Sequence, residues 1–433
     1  MTTTKEFFKV LENTKPIDYA DENQRAWYVD NLRGDNDAVG LLAREIDFRE
    51  GQGVYLFTGQ IGSGKSTEMK RLKYELEVQG CTVFYSDLER WLNPEQAINL
   101  GSFLLAIVAS WIEQSGSTEG TRSPAQRLTD FLTKTKIALP TIKVGAGVIG
   151  LPELQSALSQ DATIVAQVED ALKANKTNFI AQVHAFVETL VTELPADRKV
   201  VLLIDSLEKF RADKKDDVGN IVNSVLALFQ NTQALKLPLV HVVYSISYLV
   251  YEQNRQLPAQ LGNAFVVNLS SVHVFKRHSD EIDLEGLAGM KLMLDKRFPA
   301  WKTFFTEAQI QDVARKTGGD LRDFLRALQI SIISHRDKTT LALSDDDLEH
   351  AFNQIRPSLA INAQHLDWMV RLQKTHSAEL DGDIDFNVLN DYLRTKHVLA
   401  YLNGQTWYGL HPLISHDVQV MHERYLARLP KAS

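Results

Sequence analysis

Five stretches of this chain are apolar without the alternation of a half-exposed strand: residues 54–58, 81–86, 200–205, 239–245 and 264–269. Short apolar runs separated by helical patterns predict parallel strands buried on both faces, and so an α/β sheet. Helical periodicity is read at 38–46 and 68–78, the latter stopped by Gly80. Residues 93–197 are mostly helical, with Asn93-Pro94-Glu95 as the expected start. Inside them Ile137, Leu139, Ile142, Val144, Ala146 and Val148 mark an extended, hairpin-like piece. Residues 281–356 read as about four helices. The third starts at Gly318-Gly319-Asp320-Leu321-Arg322, the last is capped by Ser344-Asp345-Asp346-Asp347, and Arg356-Pro357 ends the region. Beyond it come helices at 365–375 and 386–395 around an acidic turn at 381–383. A hairpin follows at 398–410, turning at Asn403-Gly404. Two helices and a two-stranded wing predict a winged-helix-like unit.

The first strand runs into Gly59-Gln60-Ile61-Gly62-Ser63-Gly64-Lys65-Ser66-Thr67 and then into a helix. Strand, glycine-rich loop and helix in that order form a phosphate-binding loop. The glycines let successive N–H groups face the phosphates at a helix N-terminus, where the dipole favours anions. Lys65 then reaches the β- and γ-phosphates, and the Ser66 hydroxyl is a Mg²⁺ ligand. ATP, ADP and Mg²⁺ are the expected ligands. The expected organisation is a five-stranded parallel P-loop core at 1–280 with a helical insertion near 93–197, a helical lid at 281–356, and the winged-helix-like unit at 357–433.

Asp205, ending an all-apolar strand, is the expected carboxylate for Mg²⁺. Ser206 follows it where many such ATPases carry a glutamate. Glu208, Asp87 or Glu89 is then left to orient the attacking water. Ser245 or Ser247, ending the fourth strand, is placed to hydrogen-bond the γ-phosphate or that water. Arg322 follows a flexible glycine pair and is a candidate lid arginine, with Arg326 one turn on; Arg255 is a candidate finger for a neighbouring subunit.

Composition narrows the setting. A net charge of −8 argues against a protein that coats nucleic acid. One cysteine, Cys81, excludes a disulfide framework. The most apolar helix, at 103–108, is too short for a membrane span, and no signal core begins the chain, so a cytoplasmic protein is expected. Within 357–433, Arg394, Lys396 and His397 are the only basic cluster, which leaves DNA possible but not favoured. The spacing of His411, His416 and His422 does not match a zinc pattern.

Together Gly59–Thr67, the strand at 200–205, Ser245 and Gly318-Gly319-Asp320-Leu321-Arg322 resemble the AAA+ and STAND branches of the P-loop ATPases, over residues 30–356. The ending Asp205-Ser206-Leu207-Glu208-Lys209 resembles the KAP-type variant. The resemblance places Arg33 near the adenine. It implies a nucleotide-controlled conformational change and a homo-oligomer or a separate effector protein. Defence or signalling is the favoured setting, a DNA-associated loader or initiator the alternative, and a scaffold with little hydrolysis the third.

Overall fold

The computed structural model describes residues 2–12, 15–34, 37–116, 123–135, 150–210, 219–335, 340–380, 384–403 and 405–428. The chain divides into two compact units. One joins Val39–Thr58 to Arg71–Val267; the other joins Met1–Ala38, Gly59–Lys70 and Asn268–Ser433.

The first of these units is built on a five-stranded sheet. Its strands are β1 Gly53–Gly59, β2 Thr82–Asp87, β3 Val200–Asp205, β4 Val240–Ser247 and β5 Phe265–Leu269. They lie side by side in the order β2-β3-β4-β1-β5, as the parallel α/β sheet expected from the apolar runs. Every residue of β1 and β3 is buried. The registers pair Thr82 with Val200 and Asp87 with Asp205, then Val200 with Val240. Parallel in-register pairing brings the C-terminal ends of β2 and β3 level, and this puts the β2 and β3 carboxylates at one edge.

The helical insertion contains Leu100–Ser115, Pro124–Thr135, Leu151–Gln160, Ala162–Ala174 and Lys176–Thr192. Its start is six residues later than Asn93-Pro94-Glu95 suggested. Asn93 Oδ1 instead accepts the Glu95 N–H (2.9 Å) in a turn, while Asn99 caps the helix by accepting from Ser102 N–H (2.9 Å). Leu100–Ser115 is buried at every position from Leu100 to Ile112, and its apolar character reflects that enclosure. Among the described residues no helix is long and apolar enough to cross a membrane. The extended piece expected from 137 to 148 lies outside the described residues.

Inside the same sheet His241, 1% exposed on β4, accepts or shares a hydrogen bond with the Tyr55 hydroxyl on β1 (Nδ1 to Oη, 3.0 Å). Burial, reinforced by Lys199 and Arg49, pushes its pKa down to about 4. The unfolded chain therefore takes up this proton near pH 6.5, before the folded chain does. The associated stability is complete above that pH and is lost as pH falls towards 4. We expect on the order of 1 kcal/mol less stability at pH 5 than at pH 7 from this residue. Urea midpoints of the unmodified protein and His241→Gln at both pH values test it, since the variant should lose that part of the pH dependence.

The second unit holds four helices, Leu284–Arg297, Glu307–Lys316, Leu321–Ser334 and Asp345–Ile355, in the region expected to form a lid. Their starts are fixed by Asp283, Thr306, Asp320 and Ser344, each accepting a main-chain N–H of the first turn. Helix Thr2–Val10 joins their core through Phe7, stacked on Phe298 at 4.7 Å. The C-terminal module contains helices Leu366–Thr375 and Phe386–Arg394. An antiparallel hairpin follows, β6 Val398–Asn403 and β7 Gln405–Leu410, pairing Val398 with Leu410. The final helix, Pro412–Arg428, was not expected from the sequence. Only Leu413, Ile414 and Val418 of it are buried, too short an apolar stripe to read as a period. The expected acidic turn and Gly404 lie outside the described residues.

Candidate functional site

The phosphate loop follows β1 directly, and helix Lys65–Val78 starts at its lysine. Gly62 (φ 89°) and Gly64 (φ 91°) adopt left-handed backbone, which lets the loop turn without side-chain clash. Lys65 is 3% exposed, and its ammonium donates to the carbonyls of Gly59 and Gln60, both at 3.0 Å. The Ser63 hydroxyl also donates to the Gln60 carbonyl, at 2.8 Å. Thr67 Oγ1 accepts from the Ile17 N–H (3.2 Å), tying the lead-in segment to the loop.

Arg33 was expected near the adenine from the resemblance. Its guanidinium engages the loop region, donating to Ser63 O, to Ser270 O (2.9 Å) and to the Glu68 carboxylate (2.9 Å). Glu68 also accepts from the Tyr28 hydroxyl (2.8 Å), so an arginine, a tyrosine and a glutamate brace the loop from behind. Sequence reading missed Tyr28 and Glu68, which carry no motif.

The loop has a second set of contacts within this unit. The buried Gln60 side chain bonds the main chain of residues 393–400, described further below. A methyl group placed on Gly62 would lie 3.1 Å from Asp320 Oδ2 and 3.2 Å from Lys396 Nζ. Asp320, 1% exposed, caps helix Leu321–Ser334 through the Asp323 N–H (2.9 Å). Lys396 pairs with Asp320 (2.7 Å) and Asp323 (3.1 Å), and buried His411 stands 3.8 Å from Asp323. Burial raises the Asp320 carboxyl against the pull of Lys396; burial also acts to raise Asp323, but the nearby His411 ring and the Lys396 ammonium outweigh it and hold that carboxyl well below the usual carboxylate range.

The basic cluster seen in the sequence is therefore consumed internally. Lys396 is in that ion cluster, His397 is buried with its Nε2 2.9 Å from Ala360 O, and Arg394 pairs with Asp391. Arg322 and Arg326, the candidate lid arginines, are exposed on helix Leu321–Ser334. The glycine pair before it does not read as a free hinge. A methyl on Gly319 would lie 2.0 Å from Val272 O, and one on Gly318 2.3 Å from Leu399 Cδ1. Both glycines are needed for close approach as well as for their positive φ.

The carboxylates lie in the sheet unit. Asp205, 1% exposed, accepts from its neighbour's Ser206 N–H (2.8 Å) and from the Tyr85 hydroxyl (2.5 Å). Burial and the Asp205 charge push the Tyr85 phenol up, so it stays a donor. Ser206 is left-handed (φ 75°) and turns the chain into a short 3-10 segment, Leu207–Lys209. That turn buries Glu208 and brings its carboxylate to the Ser245 hydroxyl on β4, which donates at 3.1 Å. Two residues expected separately from the sequence thus meet.

The alternatives are otherwise engaged. Glu89 is paired with Lys209 (2.5 Å), and Asp87 accepts the Glu89 N–H (3.2 Å) as the cap of a turn. Ser247 caps helix Tyr248–Gln253 through the Leu249 N–H (3.4 Å). Arg255 is a surface residue, its side chain 74% exposed and paired with Glu252 at 2.6 Å.

For Mg²⁺ the donor chemistry fits. Asp205 offers hard oxygens and keeps lone pairs beyond its two hydrogen bonds. Among the described residues no cluster of three His, Cys, Asp or Glu forms a dedicated metal cage. Mg²⁺ needs none, because it keeps waters and takes phosphate oxygens.

A complete phosphate loop between a buried strand and a helix, on a five-stranded parallel sheet, defines a P-loop nucleotide-binding fold. No protein-family model matches the chain, and no curated protein does either. Solved structures do match in outline. The Aeropyrum pernix ORC2 protein, solved as ADPNP–ADP complexes, is 15% identical with a TM-score of 0.42, covering 94% of this chain and 99% of its own. Drosophila ORC bound to DNA is 12% identical at 0.41, covering 97% and 91%. Cdc6p from Pyrobaculum aerophilum is 12% identical at 0.40, covering 96% and 98%. Likeness of this degree assigns neither a family nor a function.

Proposed function

We propose that this chain is an ATP-binding and ATP-hydrolysing switch of the P-loop class. The observation that carries it is the loop Gly59–Thr67, with two left-handed glycines and a buried lysine whose ammonium is held by main-chain carbonyls that a polyphosphate would replace. Lys65 binds the phosphates, and Ser66 and Asp205 serve Mg²⁺, which supplies charge neutralisation when bound. Glu208, held by Ser245, orients the attacking water. Arg322 is the lid arginine, and Arg255 serves a neighbouring copy where the chain assembles.

Calorimetric titration with ATP, with and without Mg²⁺, tests this reading. Asp205→Asn should remove most of the Mg²⁺ dependence of ATP affinity, on the order of tenfold or more. Equal Mg²⁺ dependence in the variant would remove Asp205 from the site.

The setting is chosen between self-assembly and DNA association. One of the structures named above, Drosophila ORC, was solved bound to DNA, so duplex DNA is a partner to test. The mass of the purified protein with ADP, with a slowly hydrolysed ATP analogue, and with DNA separates the two. A shift with DNA assigns a DNA-associated ATPase, and a shift with the analogue alone assigns a self-assembling switch.

A further inference from the structure

Gln60 occupies a position where the phosphate-loop motif accepts any residue, yet its side chain is 7% exposed and fully committed. Its Nε2 donates to Leu393 O and to Val398 O, each at 2.8 Å, and its Oε1 accepts from the Ala400 N–H at 3.0 Å. Both amide donors face carbonyls and the amide oxygen faces an N–H, an arrangement only a carboxamide satisfies at this length. These partners are main-chain groups at the end of helix Phe386–Arg394 and in β6, so the C-terminal module grips the loop through one side chain.

The same residue holds the lysine. The Gln60 carbonyl accepts from Lys65 Nζ (3.0 Å), which turns the ammonium back onto the loop. Close to Gly62 stand Asp320 from the lid and Lys396 from the C-terminal module, themselves paired at 2.7 Å. A triphosphate in the loop draws Lys65 off the Gln60 carbonyl and brings negative charge towards Asp320. It also competes with Asp320 and Asp323 for Lys396. Pulling Lys396 away leaves two buried carboxylates uncompensated, a costly state that favours undocking of the module.

We propose that Gln60 is the positioning residue through which the C-terminal module holds the phosphate loop in its Lys65-retracted form, so that binding a nucleoside triphosphate and releasing the module are one coupled equilibrium. This rests on the nucleotide-binding reading above. Linkage makes it reciprocal: loosening the module raises nucleotide affinity by the same factor by which nucleotide loosens the module.

The test uses the full chain with a slowly hydrolysed ATP analogue and Mg²⁺. Affinity is measured by calorimetry, and hydrogen exchange is followed in the peptide containing Ala400. In the unmodified protein, saturation should speed exchange of the Ala400 amide. Gln60→Glu sets a carboxylate against two carbonyls, and Gln60→Ala removes the contact. Each should bind the analogue about tenfold more tightly and show fast Ala400 exchange without ligand. Lys65→Ala with the analogue present should keep the slow exchange. Analogue saturation of the unmodified protein with Ala400 protection unchanged overturns the latch while leaving nucleotide binding intact. Equal or weaker affinity in both Gln60 variants also overturns it. Absence of any binding by the unmodified protein overturns the nucleotide reading and the latch with it.

Discussion

Lys65→Ala is expected to lower affinity for ATP and ADP on the order of 10²-fold while leaving the chain folded. On the proposed reading the lysine would make charge-assisted hydrogen bonds to phosphate oxygens, worth about 3 kcal/mol together, and each 1.4 kcal/mol is tenfold in affinity. The fold should survive because the carbonyls its ammonium bonds, those of Gly59 and Gln60, belong to its own loop. The Gln60 carbonyl keeps the Ser63 hydroxyl and N–H as donors when the ammonium is gone. Calorimetry with each nucleotide measures the loss, and an unchanged far-ultraviolet circular dichroism spectrum separates it from misfolding. Affinity equal to that of the unmodified protein would sink the phosphate-loop assignment, and with it every role derived from that loop.

What the sequence made legible follows from how each signal is written. The buried parallel strands show as unbroken apolar runs, because both faces of the sheet are covered, and the strand bounds shifted by only a residue or two. The phosphate loop is legible because its chemistry depends on residue type at fixed spacing. Gln60 is the opposite case. Its partners are backbone groups more than 330 positions away, and a main-chain carbonyl carries no residue identity to read. Lys396 misled for a related reason. Next to Arg394 and His397 it counts as part of a basic cluster, but the fold buries it between Asp320 and Asp323. Tyr85 was invisible because its role comes from strand register, which sets the ends of β2 and β3 level and leaves its hydroxyl on Asp205. The glycine pair at 318–319 was read as freedom of motion, whereas the close approach of Val272 and Leu399 makes it a packing requirement.

The second large effect concerns hydrolysis. Three carboxylates compete in the sequence for the water-orienting role, and the structure separates them by what each already does. Asp87 is a turn cap and Glu89 is paired with Lys209, so neither offers its oxygens without breaking a local contact. Glu208 is held differently: it is buried behind the Ser206 turn, and the Ser245 hydroxyl on β4 donates to its carboxylate at 3.1 Å, which fixes its orientation. The left-handed Ser206 creates this geometry by turning the chain sharply after Asp205. Glu208→Gln keeps the size and the hydrogen bond from Ser245 but removes the charge that polarises water. It should leave ATP affinity within about twofold and cut turnover on the order of 10²-fold, the usual scale for a positioned general base. Ser245→Ala, which frees the carboxylate without removing it, should cost less, about tenfold in turnover. Glu89→Gln should change turnover little. Steady-state hydrolysis rates at saturating ATP decide between them: normal turnover in Glu208→Gln together with a large loss in Glu89→Gln or Asp87→Asn would move the base to the end of β2.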